Sequence, residues 1–369
     1  MPCVVVSAVN FTEGGPLTVL RECLEAAVAV LPPAWEVVAL VNSAELISDL
    51  RVRSVAIPSA KRSWFLRLYW EWIGFSRVSR HLRPILWFSL HDITPRVSAV
   101  RQVVYCHNPA PFYRIGFREA TLDPRFLMFN KFYALLYWIR IRRNAFIVVQ
   151  QEWLREEFER RFGKVHVVVA YPIARETVRR VKSVRCQKTC VFFYPALPRV
   201  FKNFETLCEA ARVLSLRKLF DFEVRLTIDG DENRYARWLR SQFGSVPEIK
   251  FIGRLTKDEM ALQYREAAAV VFPSKLETWG LPISEGKAFG KALLLADLPY
   301  AREAVGNYDL AGFFPANSAA ALAGLMQAMG EGTWQPAVVR TNDPSPPFAR
   351  DWTALWEILT EGLIELPRG

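Results

Sequence analysis

Short apolar runs alternate along the chain with longer stretches in which apolar residues recur at helical spacing. The first set of runs is "CVVVSAVN" (3–10), "EVVALVN" (36–42), "RSVAIP" (53–58), "ILWFSLHD" (85–92), "QVVYCHN" (102–108), "AFIVVQ" (145–150) and "VHVVVAY" (165–171). Their nearly unbroken apolar character is that of parallel strands covered by helices on both faces, not of strands with one wet face. The pattern pauses over the charged "PIARETVRRVKSVRCQK" (172–188). It restarts with "CVFFYPA" (190–196), "EVRLTIDG" (223–230), "IKFIGR" (249–254), "AAVVFPS" (268–274), "ALLLADL" (292–298) and "AGFFP" (311–315). The alternation predicts two doubly wound α/β domains joined near residue 180, one over 1–180 and one over 181–340. The Pro-rich "NDPSPPF" (342–348) then precedes a last helix, about 349–366, with Trp352, Leu355, Trp356, Leu359 and Leu363 on one face. Ligands of open parallel sheets bind beyond the carboxyl ends of the strands, so the expected site is the cleft between two such domains.

Composition narrows the class. At 369 residues and 51% hydrophobic content there is enough apolar material for two cores. The six cysteines are scattered without Cys-x-x-Cys pairs, which predicts buried thiols and neither a disulfide framework nor a zinc site. The start "MPCVVVSAVNF" lacks the basic and long apolar regions of a secretory signal, which gives a cytoplasmic reading.

The net charge of +11 is concentrated between residues 51 and 150, where 17 Lys or Arg stand against 4 Asp or Glu. Aromatic and basic residues interleave there at helical spacing in "KRSWFLRLYWEWIGFSRVSRHLRP" (61–84) and "FLMFNKFYALLYWIRIRRN" (126–144). That composition suits peripheral contact with an anionic membrane surface. No run approaches the roughly 20 apolar residues of a spanning helix. The competing reading has the aromatics facing a core with the arginines as a solvated rim, and nucleic acid is not the expected partner.

The stretch "KLETWGLPISEGKAFGKA" (275–292) carries candidate chemistry. It places Glu277 and Glu285 either side of a Gly-Leu-Pro turn directly after the run "AAVVFPS". Pro282 suits the start of a helix running to about Gly290, and Gly280 permits close backbone approach. The amides of Trp279, Gly280 and Leu281 with the helix N-terminus suit a diphosphate. The two carboxylates would repel phosphate, so facing a ligand they suit hydroxyl donors. The competing reading makes Glu285 an ordinary charge near a helix N-terminus.

Together with "GGPLTVLRECLEAA", "VYCHNP", "FIVVQQEWLREEF", "KNFETLCEAARVL", "LTIDG" and "IKFIGRLTKDEMALQY" in that order, this stretch resembles the donor signature of the retaining glycosyltransferases of family 4, which have the GT-B fold. The hallmark, two glutamates separated by seven residues, is present as "ETWGLPISE". The resemblance is strongest from about 190 to 316. It implies two Rossmann-like domains, an N-terminal acceptor domain and a C-terminal nucleotide-sugar donor domain, with the last helix packing back on the first.

It assigns Glu277 to hydroxyls of the transferred sugar, Glu285 to the ribose, and Lys202 to the donor diphosphate, where a fixed ammonium stabilises the departing charge. The backbone of Leu255 would meet the nucleobase. Gly15 would lie near the donor phosphate and Gly14 on the acceptor side. His107, ending a strand, matches a histidine placed near the transferred sugar, and His91 and Asp92 are further acceptor-side candidates. The arginine that commonly stands six residues before the lysine is Ala196 here, and Arg199 is the expected substitute. No metal site is seen and the family generally does without one, so neither metal nor cofactor is expected.

The sequence therefore reads as a retaining glycosyltransferase moving a sugar from a nucleoside-diphosphate donor to an acceptor hydroxyl. The basic, aromatic band suggests a lipid-linked saccharide acceptor in bacterial surface polysaccharide assembly, and a place at the inner face of the cell membrane. A GT-B nucleotide-sugar epimerase or phosphorylase is one rival. A non-catalytic membrane or nucleic-acid binding module is the other. Neither a Gly-x-Gly-x-x-Gly nor a Gly-x-Ser-x-Gly motif supports nicotinamide or serine-hydrolase chemistry.

Overall fold

The computed structural model describes residues 1–172, 189–339 and 341–363. These form two compact units, one of residues 1–112, 131–172 and 344–363, the other of residues 113–130, 189–339 and 341–343. The expected junction near residue 180 lies outside the described residues. Residues 113–130, read from sequence as part of the first domain, group with the second unit.

Every apolar run becomes a strand. The first unit carries β1 (Cys3–Ser7), β2 (Glu36–Val41), β3 (Arg53–Ala56), β4 (Leu86–Ser89), β5 (Arg101–Cys106), β6 (Phe146–Val149) and β7 (Val167–Ala170). The second carries β8 (Cys190–Tyr194), β9 (Phe222–Leu226), β10 (Ile249–Phe251), β11 (Ala269–Phe272), β12 (Ala292–Ala296) and β13 (Ala311–Phe314). The Pro-rich break holds one strand the pattern does not announce, β14 (Phe348–Ala349), which adds to the first sheet beside β7 with Phe348 opposite Val169. A two-residue strand at a sheet edge needs few ladder donors, which is why prolines just before it are tolerated.

All pairs are parallel, and the orders are β14-β7-β6-β5-β4-β1-β2-β3 and β10-β9-β8-β11-β12-β13. In each sheet the order reverses direction at one place, between β1 and β4 in the first and between β8 and β11 in the second. Connections leave to opposite sides there, which opens a crevice at the carboxyl ends.

Alternate residues of the first sheet feed separate cores. Val4, Val6, Ala39, Val41 and Phe88 pack with the helices Gly14–Val30 and Trp352–Thr360, while Val5, Val38, Leu40 and Trp87 pack on the other face with Phe75. The C-terminal helix is fastened by Trp356, which is fully buried, lies edge-on to Phe88 at 5.8 Å and donates from Nε1 to the carbonyl of Cys23 at 2.8 Å. Cys3, Cys23, Cys106 and Cys208 are buried thiols as expected. Cys190, however, is disulfide-bonded, which corrects the expectation of free thiols throughout, and Cys186 lies outside the described residues.

Trp356→Ala would remove both the ring and its hydrogen bond. It is expected to cost about 3–5 kcal/mol, the range for deleting a large buried aromatic, read as a lower urea midpoint for the first unit. A change below about 1 kcal/mol would mean that the helix does not hold the sheet face.

Candidate active site

The second unit places its candidate residues around the reversal between β8 and β11. After β8 the chain runs through a 3-10 turn, Val200–Lys202, to Asn203, which caps the helix Phe204–Arg217 in the left-handed region at φ 57°. Asparagine tolerates that conformation, and here the fully buried Nδ2 donates to the carbonyls of Pro273 (2.9 Å) and Ala316 (2.8 Å). One side chain thus ties the ends of β8, β11 and β13 together.

The amide of Lys275 donates to the carbonyl of Phe201 at 2.7 Å, and the hydroxyl of Tyr300 donates to the carbonyl of Ser274 at 2.6 Å. Held this way, Lys202 Nζ stands 2.5 Å from Glu277 Oε1, with side-chain exposures of 18% and 13%. The ammonium also lies 5.6 Å from the centre of the Phe272 ring. The two residues that the sequence singled out most strongly are therefore one ion pair across the crevice.

The helix after the turn is Leu281–Ala288, starting one residue earlier and ending two before the expected limits. Gly280 precedes it at φ +79°, a conformation that favours glycine, and a Cβ there would also crowd the Phe272 ring at 3.1 Å. Trp279 donates from Nε1 to Ser284 Oγ at 2.9 Å. Glu285, one turn into the helix, accepts a hydrogen bond from the hydroxyl of Tyr264. Tyr264 is buried and stacked on Phe289 at 5.2 Å, and burial, with the Glu285 carboxylate beside it, pushes its phenol well above the ordinary range. The phenol is thus a permanent donor that fixes the carboxylate. Leu255 follows Gly253, which is at φ +74° with the Asp229 carboxylate against it.

Arg199, the expected second cation, stands beside an acidic side chain. Its Nε lies 3.3 Å from Asp123 Oδ2 and its guanidinium sits over the Phe126 ring at 5.6 Å, so its charge has a protein partner. Asp123 belongs to residues 113–130, which also bring Glu119 to 3.5 Å from Lys275 Nζ, Phe126 to 4.9 Å from Phe201 and Arg118 to 4.3 Å over Trp238. Ala196 exchanges backbone hydrogen bonds with Thr227 Oγ1.

In the first unit the reversal between β1 and β4 is occupied by a buried polar cluster. Ser7 Oγ lies 3.1 Å from His91 Nε2, His91 Nδ1 lies 3.4 Å from Glu71 Oε1, and Arg67 Nε lies 2.8 Å from the same oxygen. All four are nearly or fully buried. Burial raises the Glu71 carboxyl to about 7, with the Arg67 charge pulling the other way. Burial, then the same Arg67 charge, pushes His91 well below its ordinary value, so its imidazole is neutral.

Asp92, at φ 65°, is also buried, and its Oδ1 accepts from the amides of His107 (2.8 Å) and Asn108 (3.0 Å) and from the hydroxyl of Tyr137 (2.9 Å). His91 and Asp92 therefore lie beneath the surface, and it is His107, part-exposed and stacked on Tyr105 at 5.8 Å, that can meet a ligand. Gly14, at φ +61° with open space around it, and Gly15 begin the helix Gly14–Val30 at an exposed corner. Among the described residues no three His, Cys, Asp or Glu side chains are placed to hold a metal ion.

Asn203, Tyr264, Tyr300, Glu71 and Arg67 were not singled out from sequence. Only the "KN" pair at 202–203 carried a local signal, since asparagine before an amphipathic run marks a helix start.

Compared with known proteins, residues 174–335 match the family model for glycosyl transferases group 1. No curated protein matches the chain by sequence. Among solved structures, the apo form of the lipopolysaccharide outer core galactosyltransferase WaaB is similar over 91% of this chain and 92% of its own, at TM-score 0.64 and 12% identity. Anabaena HepE in complex with UDP-glucose is similar over 99% of this chain and 100% of its own, at TM-score 0.60 and 13% identity. Sucrose-phosphate synthase from Thermosynechococcus elongatus is similar over 89% and 90%, at TM-score 0.59 and 14% identity. The two parallel-sheet α/β units are those of the GT-B fold.

The Glu71 cluster sets a pH signature for the first unit. A carboxyl with a raised pKa in the fold contributes stability that is complete below its ordinary 4.5 and lost as the pH rises through about 7. His91, with a lowered pKa, contributes in the opposite sense. Glu71→Gln is therefore expected to flatten the fall in stability from pH 5 to pH 8 relative to wild type. An equal fall in unfolding free energy between the two pH values in variant and wild type, measured by urea titration, would count against it.

Proposed function

We propose that the protein transfers a sugar from a nucleoside-diphosphate donor to an acceptor hydroxyl with retention of configuration, and that the second unit holds the donor. The observation that carries this reading is the Lys202–Glu277 pair spanning the strand-order reversal. A lysine with a carboxylate partner is held in position, and an entering diphosphate is a better counter-charge for it. The exchange would release Glu277 to accept hydrogen bonds from the sugar hydroxyls. The amides of Trp279 to Leu281 would share the phosphate load, Glu285, oriented by Tyr264, would accept from the ribose, and the backbone of Leu255 would meet the base. Arg199 joins the diphosphate only by leaving Asp123.

In the reaction the bond from the anomeric carbon to phosphate breaks and a bond to the acceptor oxygen forms. The acceptor proton goes to the departing phosphate oxygen. Lys202 stabilises the charge that develops there, in place of a metal ion. His107, braced through its amide by Asp92, belongs to the sugar in this reading, Gly15 to the donor phosphate and Gly14 to the acceptor side. The acceptor is a lipid-linked saccharide, supported by the basic and aromatic segments 61–84 and 126–144. No helix among the described residues is long and apolar enough to cross a membrane, so contact would be peripheral.

A thermal-shift screen with UDP, GDP, ADP and dTDP is the first test, with UDP first because the similar HepE structure holds UDP-glucose. With the matching nucleotide sugar, free nucleoside diphosphate should appear only when acceptor is present, which an epimerase or a binding module would not produce. Lys202→Met is expected to weaken nucleotide binding roughly 10- to 100-fold, the loss of one charge-assisted contact. Glu277→Gln is expected to lower kcat about 100-fold or more while the nucleotide still binds. A folded Glu277→Gln enzyme with wild-type turnover would sink the proposal.

The two readings of Arg199 separate in a second variant. Asp123→Asn keeps the cap on the Phe126 amide but removes the charge that holds Arg199. If Arg199 serves the diphosphate, this change tightens nucleotide binding severalfold and Arg199→Ala weakens it. Unchanged affinity in both variants would leave Arg199 a structural residue.

A further inference from the structure

We infer that the helical run from Trp64 to Leu82, with the neighbouring exposed side of residues 131–138 in the helix Pro124–Trp138, is a docking surface for an anionic lipid bilayer. Its purpose rests on the proposed lipid-linked acceptor, but its location follows from side-chain exposure and charge. Five large apolar side chains lie exposed within ten residues, from Trp64 to Ile73, with Phe65 at 87% and Ile73 at 47%. Single exposed apolar residues are ordinary, whereas a contiguous group marks an interaction surface.

The group has a regular cause. Residues 64–69 and 75–82 are α-helical and 70–74 form a π turn. In an α-helix a step of four residues overshoots one turn by about 40°, and the wider π turn takes part of that back. Steps of four therefore stay on one side. Phe65, Tyr69, Ile73 and Arg77 face solvent, while Arg67, Glu71, Phe75 and Ser79 are buried. Gly74 allows the turn, because a Cβ there would stand 2.2 Å from the Trp70 ring.

Trp64 joins this run to the second helix, lying edge-on to Phe132 at 5.2 Å and Tyr133 at 5.8 Å. About one and two turns beyond Phe132, Leu135 and Trp138 are exposed at 59% and 52%.

The rim selects the occupant. Arg62 just before the first run, Arg77 and Arg80 on it, and Lys131, Arg142 and Arg143 around the second are exposed. The only acidic residue in 61–84 or 131–144 is Glu71, which is fully buried. Apolar and aromatic side chains ringed by cations, with no exposed carboxylate, match an anionic interface, in which indole and phenol rings sit at headgroup depth. A second copy would bring the same positive rim against itself. Nucleic acid gives Ile73 and Leu135 nothing to contact.

The test is co-sedimentation of the full chain with vesicles of phosphatidylglycerol and phosphatidylcholine, or of phosphatidylcholine alone, at low and high salt. Binding is expected to the anionic vesicles, weakened by salt, with tryptophan emission shifted to the blue and quenched by brominated lipid. Phe65→Ser with Ile73→Ser should weaken partitioning by about tenfold or more, with melting temperature and nucleotide binding unchanged because both side chains already face solvent. Arg77→Gln with Arg80→Gln should remove much of the salt dependence.

Vesicle binding that persists in the Phe65→Ser, Ile73→Ser protein overturns the proposal. So does a wild type that ignores anionic vesicles, whether it dimerises through these residues or binds an oligonucleotide instead. Absence of any nucleotide-induced thermal shift would strike the donor reading alone and leave the vesicle result standing.

Discussion

The site depends on the reversal of strand order between β8 and β11, because it is there that Lys202 and Glu277 come within one ion pair of each other. Two loops that leave adjacent strands toward opposite faces would diverge if nothing held them. Asn203 prevents this by accepting a left-handed backbone and donating to the ends of β11 and β13, and the Lys275 amide closes the loop onto Phe201. The pair is neither deeply buried nor freely solvated. That intermediate setting suits a counter-ion that can be exchanged, since a fully buried pair would resist separation and a fully exposed one would not be held in place.

The strands were legible because a parallel strand covered on both faces must be apolar at consecutive positions, and few other elements carry that mark. β14 escaped because two residues after prolines leave no pattern. Lys202, Glu277 and Glu285 were legible because they follow strands at short, fixed distances. Their supports were not. Asn203 finds its partner at Ala316, and Tyr264 finds its own at Glu285, through contacts that local spacing does not encode. The grouping of residues 113–130 with the second unit was hidden for a related reason. Their aromatic residues continue the pattern on either side, while the contacts that place them, Asp123 with Arg199 and Glu119 with Lys275, join distant parts of the sequence.

The two sheets use equivalent positions differently. At the reversal in the second sheet the polar groups remain within reach of solvent. In the first sheet the same position is filled by Ser7, His91, Glu71 and Arg67, sealed from water. A histidine pressed to neutrality by burial and a nearby guanidinium has little use as a charged ligand, but it fixes the end of β4 against the end of β1. Asp92, the next residue, then stands where it can hold the His107 amide. Sequence placed His91, Asp92 and His107 together as candidates, and burial separates them into two supports and one side chain that reaches the surface.

The run from residue 64 to 82 joins these observations. Its inward stripe contributes Arg67 and Glu71 to the cluster at the β1/β4 reversal, and its outward stripe contributes Phe65, Tyr69 and Ile73 to the exposed apolar surface. The buried ion pair therefore fixes more than the end of a sheet. Because the two stripes advance in the same steps of four, any rotation of the helix that exposed Glu71 would withdraw Ile73, and the internal electrostatics set which aromatic side chains face outward. A salt bridge is weak grounds for stability when buried, since removing two charges from water costs much of what their attraction returns. Its value here is registry: it admits one rotation of an otherwise amphipathic helix whose exposed side is apolar enough to prefer burial itself.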